Sequence, residues 1–169
     1  MIHYITGGER SGKSKYAQQL AERLSASPVY LATSRIWDQD FQKRVDRHQS
    51  DRDERWTTIE EEKHLGQVDV SGKVMVLDCV TLWLTNWFAD SKSDIESCLD
   101  SCKSEVDQLF STAQKGTLII ISNEIGMGLH AQTEVGRKFT ELQGWINQYI
   151  AQRADKATFM VSGLPLELK

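Results

Sequence analysis

The chain has 169 residues, enough for one domain with a sizeable core and too few for two ordinary ones, so a single domain over 1–169 is expected. Its 20 Lys and Arg against 24 Asp and Glu form no long run of one sign, which gives nucleic acid or an anionic membrane no general electrostatic hold. The three cysteines, Cys79, Cys98 and Cys102, are odd in number and form no C-x-x-C pair, so core thiols rather than a disulfide framework or a zinc site are expected. No apolar run approaches the roughly 20 residues of a membrane span, and the protein is expected to be cytoplasmic with no transmembrane segment.

The β-prone run Met1–Thr6 leads into Gly7-Gly8-Glu9-Arg10-Ser11-Gly12-Lys13-Ser14, which fits G-x-x-x-x-G-K-[ST]. Glycines at that spacing let backbone N–H groups converge on phosphate oxygens, while Lys13 supplies a charge and the Ser14 hydroxyl a Mg²⁺ ligand. Tyr16, Ala17, Leu20, Ala21 and Leu24 then recur at helical spacing, so the loop is predicted to open a helix, where anions bind. Ser25–Pro28 breaks the pattern, and Val29–Thr33 reads as a short buried strand.

The polar stretch from Trp37 to Arg55 has no proline, and Phe41 and Val45 at i,i+4 predict that much of it is helical, with Arg44, His48 and Arg52 on one face. From Trp56 to Val70 a short strand or loop and then a brief helix are expected. Val74–Asp78 is an apolar strand ending in a carboxylate, and Thr81–Phe88 a buried helix. After a linker, Ser93 is the expected N-cap of an amphipathic helix carrying Ile95, Cys98, Leu99, Cys102, Val106, Leu109 and Phe110, which Gly116 is expected to end.

Thr117–Ser122, β-branched and apolar on both faces, belongs at the centre of a parallel sheet. Asn123 and Glu124 follow at its carboxyl end, and Gly126-Met127-Gly128 opens a loop. Val135 to Ile150 marks another amphipathic helix, and Ala157–Val161 a last strand before Gly163-Leu164-Pro165. Strands alternating with helices imply an α/β fold with a mostly parallel sheet, whose ligands bind at the carboxyl ends of the strands. That places Gly7–Ser14, Thr33, Asp78 and Glu124 at one rim.

Asp78 is positioned to hold Mg²⁺ opposite Ser14, or else to cap the helix that follows. Glu124 can serve metal, ribose, substrate or its own loop, and its place in the sequence does not choose. His48, with Arg44, Arg47 and Arg52 around it, is expected to stay neutral and keep a lone pair, as a nucleophile for phosphorus would. The plain alternative is a solvated basic helix. His3, His64 and His130 lack such surroundings and are read as structural.

The chain resembles the bifunctional adenosylcobinamide kinase / adenosylcobinamide-phosphate guanylyltransferase family of cobalamin assembly. The matching blocks are Thr6–Ser14, Tyr30–Thr33, Arg44–Arg52 with Trp56, Leu77–Asn86, Ser122–Gly128 and Ser162–Pro165. The resemblance implies a P-loop NTPase-like fold with helices on both faces of the sheet. It also implies two reactions: phosphorylation of the aminopropanol hydroxyl of adenosylcobinamide, then transfer of GMP from GTP to adenosylcobinamide phosphate, yielding adenosylcobinamide-GDP and pyrophosphate.

By the same resemblance His48 carries GMP covalently, and Lys13 acts within the triphosphate cradle formed by Gly7, Gly8, Glu9, Arg10, Ser11, Gly12, Lys13 and Ser14. Ala32, Thr33, Ser34, Gln49, Ser50, Asp51, Arg52, Glu60 and Asp78 complete the site for GTP, and for ATP if it serves the kinase step; Mg²⁺ falls to Ser14 and Asp78. A homotrimer is implied as well. Two loops depart from the family: Ala131 and Glu62 stand where proline is frequent.

Two other readings fit the phosphate loop, a small-molecule kinase of another pathway and a non-catalytic GTP-binding regulator. Against the regulator, the guanine-reading N-K-x-D block of switch GTPases is absent, since Asn123 is followed by Glu124-Ile125-Gly126.

Overall fold

The computed structural model describes residues 1–35 and 52–169. The helix expected over Trp37–Arg55 lies outside the described residues except at its end. There Arg52–Arg55 is a turn, with the Arg55 amide donating to Asp53 Oδ1 at 3.0 Å.

Seven strands form one sheet: β1 (Ile2–Gly7), β2 (Val29–Ala32), β3 (Thr57–Glu60), β4 (Val74–Asp78), β5 (Thr117–Ile121), β6 (Lys156–Val161) and β7 (Leu164–Glu167). Their order is β3-β2-β4-β5-β1-β6-β7, with β1 to β6 parallel and β7 antiparallel. Thr117–Ile121 is therefore the central strand, as its unbroken β-branched run implies; Leu118, Ile119, Ile120 and Ile121 are all at most 1% exposed.

The side-chain period of two splits those residues between the faces. Ile119 and Ile121 join Ile5, Tyr30 and Val76 beneath α1 (Lys13–Leu24), whose Ala17 and Ala21 let the helix sit close to the sheet. Leu118 and Ile120 join Tyr4, Leu31, Met75 and Leu77 in the larger core, which is covered by α2 (Val80–Asp90), α3 (Ile95–Ala113) and α4 (Glu134–Arg153). Trp83 of α2 is fully buried there and still satisfies its indole N–H, which donates to the Lys63 carbonyl at 2.8 Å. Short 3-10 turns occupy Leu65–Gln67 and Ile125–Met127.

Three local expectations are corrected. The N-cap of α3 is Asp94, whose carboxylate accepts from the Ser97 amide at 3.4 Å, while Ser93 sits at φ +67° one residue earlier. The same helix stops at Ala113, and Gly116 closes the turn after it by donating its amide to the Ala113 carbonyl at 3.1 Å, without the left-handed conformation expected of a glycine stop. Its hydrogen instead admits the Val70 carbonyl oxygen, which a Cβ would approach to 2.2 Å. Finally, the chain does not leave the sheet at Gly163. Ser162 and Gly163, at φ +51° and +82°, form a two-residue hairpin with both central residues left-handed, and β7 follows as an edge strand that tolerates Pro165.

Candidate functional site

The parallel register lines up the carboxyl ends of the strands. Glu60, Ala32 and Asp78 are direct partners across β3, β2 and β4, and Ile121 and Ile5 continue the row to β1. The Gly7–Ser14 loop rises from the end of that row.

Gly7 is a point of close approach: a Cβ there would stand 2.5 Å from the Met160 carbonyl oxygen and 2.8 Å from Ser11 Oγ. Arg10 at φ +57° and Gly12 at φ +95° curl the loop, and the Gly163 amide of the β6–β7 hairpin donates to the Ser11 carbonyl at 3.0 Å, bracing it from behind. Gly12 is the N-cap of α1 and supplies no side-chain bond, so the first-turn N–H groups have neither an intrahelical partner nor a side-chain cap. That arrangement suits an oxyanion.

Lys13 is 7% exposed, and its ammonium donates to the Gly8 carbonyl and lies 3.4 Å from Ser11 Oγ. Burial pulls its pKa below the usual lysine value, opposed by the nearby Cys79, Asp78 and Glu9 groups. Gly8 faces open space, Glu9 and Arg10 are exposed at the loop tip, and Ser14 is half-buried in the first turn of α1.

Asp78, the last residue of β4, accepts from the Tyr30 hydroxyl at 2.9 Å on Oδ2. Burial, reinforced by the Asp78 charge, raises the Tyr30 pKa well above that of a free phenol, so it remains a donor. The Arg52 guanidinium lies 3.6 Å from the centroid of the same ring, and its buried Nη1 finds no hydrogen-bond partner among the described residues. Arg52, Tyr30 and Asp78 thus form one stack. His48, Gln49, Ser50 and Asp51 lie outside the described residues.

Ala32 and Ser34 are half-buried at the end of β2, and Glu60 is exposed. Thr33 between them is fully buried and committed to the scaffold: its hydroxyl donates to the Cys79 carbonyl at 2.8 Å and accepts from the Cys79 amide at 3.0 Å. Burial pushes the Cys79 thiol up to about 12, and all three cysteines are free and buried, in keeping with core thiols. His3 is bonded to Thr158 at 2.8 Å and His64 to Glu105 at 3.3 Å, while His130 is exposed.

The two departures from the family pattern have local substitutes. Glu62 accepts from Arg35 Nε at 2.8 Å, and Asp90 at the end of α2 takes the two terminal nitrogens at 3.1 and 3.3 Å. Arg137 donates to the Ala131 and Gln132 carbonyls at 3.3 and 2.9 Å, holding the loop that a proline would stiffen.

A buried network behind Glu124 is absent from the sequence reading. Ser122 Oγ donates to Asn147 Oδ1 at 2.7 Å, and Gln143 Nε2 donates to both Ser122 Oγ and Asn147 Oδ1 at 2.9 Å. Asn147 Nδ2 then reaches the Asn123 carbonyl at 3.0 Å and Glu124 Oε1 at 3.2 Å. Thr6 Oγ1 donates to the same Oε1 at 2.7 Å, and the Glu124 amide donates to the Gly7 carbonyl at 3.1 Å. The one available signal was Gln143 and Asn147 at i,i+4 beside the apolar stripe of α4, a pattern that a solvated face also gives.

For a cation the donor set is small: a Ser14 hydroxyl and an Asp78 carboxylate. Among the described residues no three His, Cys, Asp or Glu side chains converge as a protein-only cage. Few protein ligands with the remainder from phosphate and water is the usual arrangement for Mg²⁺ on a nucleotide.

Residues 3–168 match the family model described as cobinamide kinase / cobinamide phosphate guanyltransferase. The chain is 35% identical to the bifunctional adenosylcobalamin biosynthesis protein CobP of Pseudomonas aeruginosa, covering 100% of this chain and 98% of that protein. It is 31% identical to the bifunctional adenosylcobalamin biosynthesis protein CobU of Escherichia coli (strain K12), covering all of both chains. In fold it is similar to a prototypical ATPase from a type III secretion system, with a TM-score of 0.53 and 11% identity over 98% of this chain and 56% of that one. It is also similar to the flagellar accessory protein FlaH of Methanocaldococcus jannaschii, with a TM-score of 0.50 and 14% identity over 99% and 77% of the chains. The fold is thus an α/β P-loop fold, and no helix among the described residues is long and apolar enough to cross a membrane.

Proposed function

Because the chain belongs to the cobinamide kinase / cobinamide phosphate guanyltransferase family of adenosylcobalamin biosynthesis, we propose that it carries out both transfers on one nucleotide site. It phosphorylates the aminopropanol hydroxyl of adenosylcobinamide. It then moves GMP from GTP to adenosylcobinamide phosphate through a guanylyl-histidine at His48, releasing pyrophosphate and adenosylcobinamide-GDP.

The observation that carries the reading is the state of the Gly7–Ser14 loop. Its helix N-terminus is uncapped, Gly8 is open, and a desolvated Lys13 ammonium is turned onto the loop's own Gly8 carbonyl. A triphosphate entering the loop replaces that neutral carbonyl with charged oxygens and satisfies the first-turn N–H groups of α1. Ser14 and Asp78 would hold Mg²⁺, which would supply positive charge to offset the negative charge of the phosphates. Tyr30 orients the Asp78 carboxylate, and the Arg52 guanidinium over the Tyr30 ring would add positive charge beside it.

In the guanylyl step a neutral His48 nitrogen attacks the α-phosphorus. The new N–P bond replaces the bond to the bridging oxygen, and pyrophosphate departs. An oxygen of adenosylcobinamide phosphate then attacks the same phosphorus, and His48 leaves. Incubation with GTP labelled in its α-phosphate is expected to leave acid-labile label on the wild-type chain and none on His48→Ala; a wild type that takes up no label removes this half of the reading.

We further propose a homotrimer, as in the family the chain resembles. Leu164 and Leu166 of β7 and Leu168 just beyond its end stand at alternate positions with 71%, 57% and 60% exposure, a surface suited to cover by another subunit. Sedimentation should then read three chains of 19.2 kDa each, and a one-chain mass would overturn it.

A further inference from the structure

We infer that Glu124 is the base of the kinase step, taking the proton of the acceptor hydroxyl through its Oε2, and that Thr6, Asn147 and Gln143 are the residues that position it. This rests on the kinase reading above and assigns a step to a side chain whose role the sequence left open.

The position of Glu124 follows from strand order. It lies just beyond the end of β5, which pairs with β1 on one side and β4 on the other, so it stands between the Gly7–Ser14 loop and Asp78. Its amide is tied to the Gly7 carbonyl at 3.1 Å, which locks its backbone to the first residue of the phosphate loop.

The hydrogen bonding separates the two carboxylate oxygens. Oε1 receives the Thr6 hydroxyl at 2.7 Å and the Asn147 amide at 3.2 Å. Both donors are neutral, so they fix the plane of the carboxylate without supplying a cation to hold its charge. No bond from these donors goes to Oε2, which is left for an incoming group.

Asn147 is in turn fixed. Its Oδ1 accepts from Ser122 and Gln143, so its amide group can present only NH₂ to Glu124. Ser122, Gln143 and Asn147 are 0%, 1% and 5% exposed, and every donor on these three buried side chains is spent within the cluster or on the Asn123–Glu124 segment, while Gln143 Oε1 has no partner among the described residues. The Tyr4 hydroxyl is buried against the same group, close to Thr6, Ser122 and Glu124, and burial raises its pKa, so it stays protonated and neutral. Glu124 is the carboxyl member of this cluster, at the end bonded to the first residue of the phosphate loop.

A kinase step needs such a group. The acceptor oxygen forms its bond to the γ-phosphorus as the bond from that phosphorus to the β,γ-bridging oxygen breaks. The nucleoside diphosphate leaves with the electron pair, and the hydroxyl proton passes to Glu124 Oε2. Asp78 is less suited, since one of its oxygens is held by Tyr30 and the other is given to Mg²⁺ in the function proposed above. The guanylyl step has no equivalent demand, because a neutral imidazole attacks with a free lone pair and the phosphate acceptor is already deprotonated.

The two labels therefore separate the roles. With adenosylcobinamide and γ-labelled GTP or ATP, Glu124→Gln is expected to lower kcat for label transfer on the order of 10²- to 10⁴-fold with little change in the KM of the nucleotide. Labelling of its His48 by α-labelled GTP should stay within about threefold of wild type, since that step draws on no base. Thr6→Val should lower kcat of the kinase step without changing α-labelling, and Thr6→Ser, which keeps the donor, should restore it. Equal loss of both labels in Glu124→Gln, recovery of its turnover on raising Mg²⁺, or wild-type kinase turnover would each overturn the assignment. A wild-type enzyme that moves no γ-label overturns the kinase reading itself and this step with it.

Discussion

A Cβ at Gly7 would meet a backbone carbonyl at 2.5 Å, whereas one at Gly8, the next residue, would meet nothing within 4 Å. Only the far end of a flexible side chain could yield cheaply at the first contact, and the Met160 carbonyl is part of β6. Gly7→Ala is therefore expected to lose on the order of 1–3 kcal/mol of stability, as overpacked sites do, together with nucleotide affinity. Gly8→Ala should leave the urea midpoint unchanged within error and still weaken triphosphate binding, because its methyl occupies the space above the loop. Denaturation and nucleotide titration of the pair check this, and a Gly8 variant that binds normally would place the phosphates elsewhere. Both glycines were visible as one motif, but spacing could not say which is there for the fold and which for the ligand. The same holds for Thr33, a rim residue by position that spends its hydroxyl on the Cys79 backbone, and for Glu124, whose network becomes apparent only when α4 is laid on the sheet.

The central strand was legible from its unbroken β-branched run, the phosphate loop from the spacing of its motif, and α1, α3 and α4 from an apolar repeat near 3.6 residues. What failed to show depends on single residues or on approach between distant ones. Asp94 and Ser93 are both good N-cap types, and the choice falls to Asp94 because the preceding turn runs through Lys92 and Ser93 at positive φ. Gly116 reads like a helix stop, yet it is small because Val70 crosses it. The strand β7 is short, fully exposed and contains Pro165, and the alternation of Leu164 and Leu166 over four residues is too brief to mark a strand. Its one local cue was the Ser162-Gly163 turn. That hairpin nonetheless matters to the site, since Gly163 donates to Ser11 inside the phosphate loop.

At the scale of the whole molecule, the parallel register gathers the carboxyl ends of six strands at one rim, and the described residues there contain one phosphate loop. On the proposed function, two reactions that break different bonds of a triphosphate would use the same grip in turn. The γ-phosphorus would be met by the acceptor with Glu124 as its base and the α-phosphorus by His48, around a common Lys13. A non-hydrolysable ATP analogue should consequently suppress α-label uptake from GTP competitively, with the inhibition erased at high GTP and the limiting rate unchanged. Lys13→Ala should impair both transfers together, because its ammonium serves the shared cradle rather than either nucleophile. If the analogue instead lowered the limiting rate at saturating GTP, a second triphosphate site would be required, and residues beyond the Gly7–Ser14 loop would have to supply it.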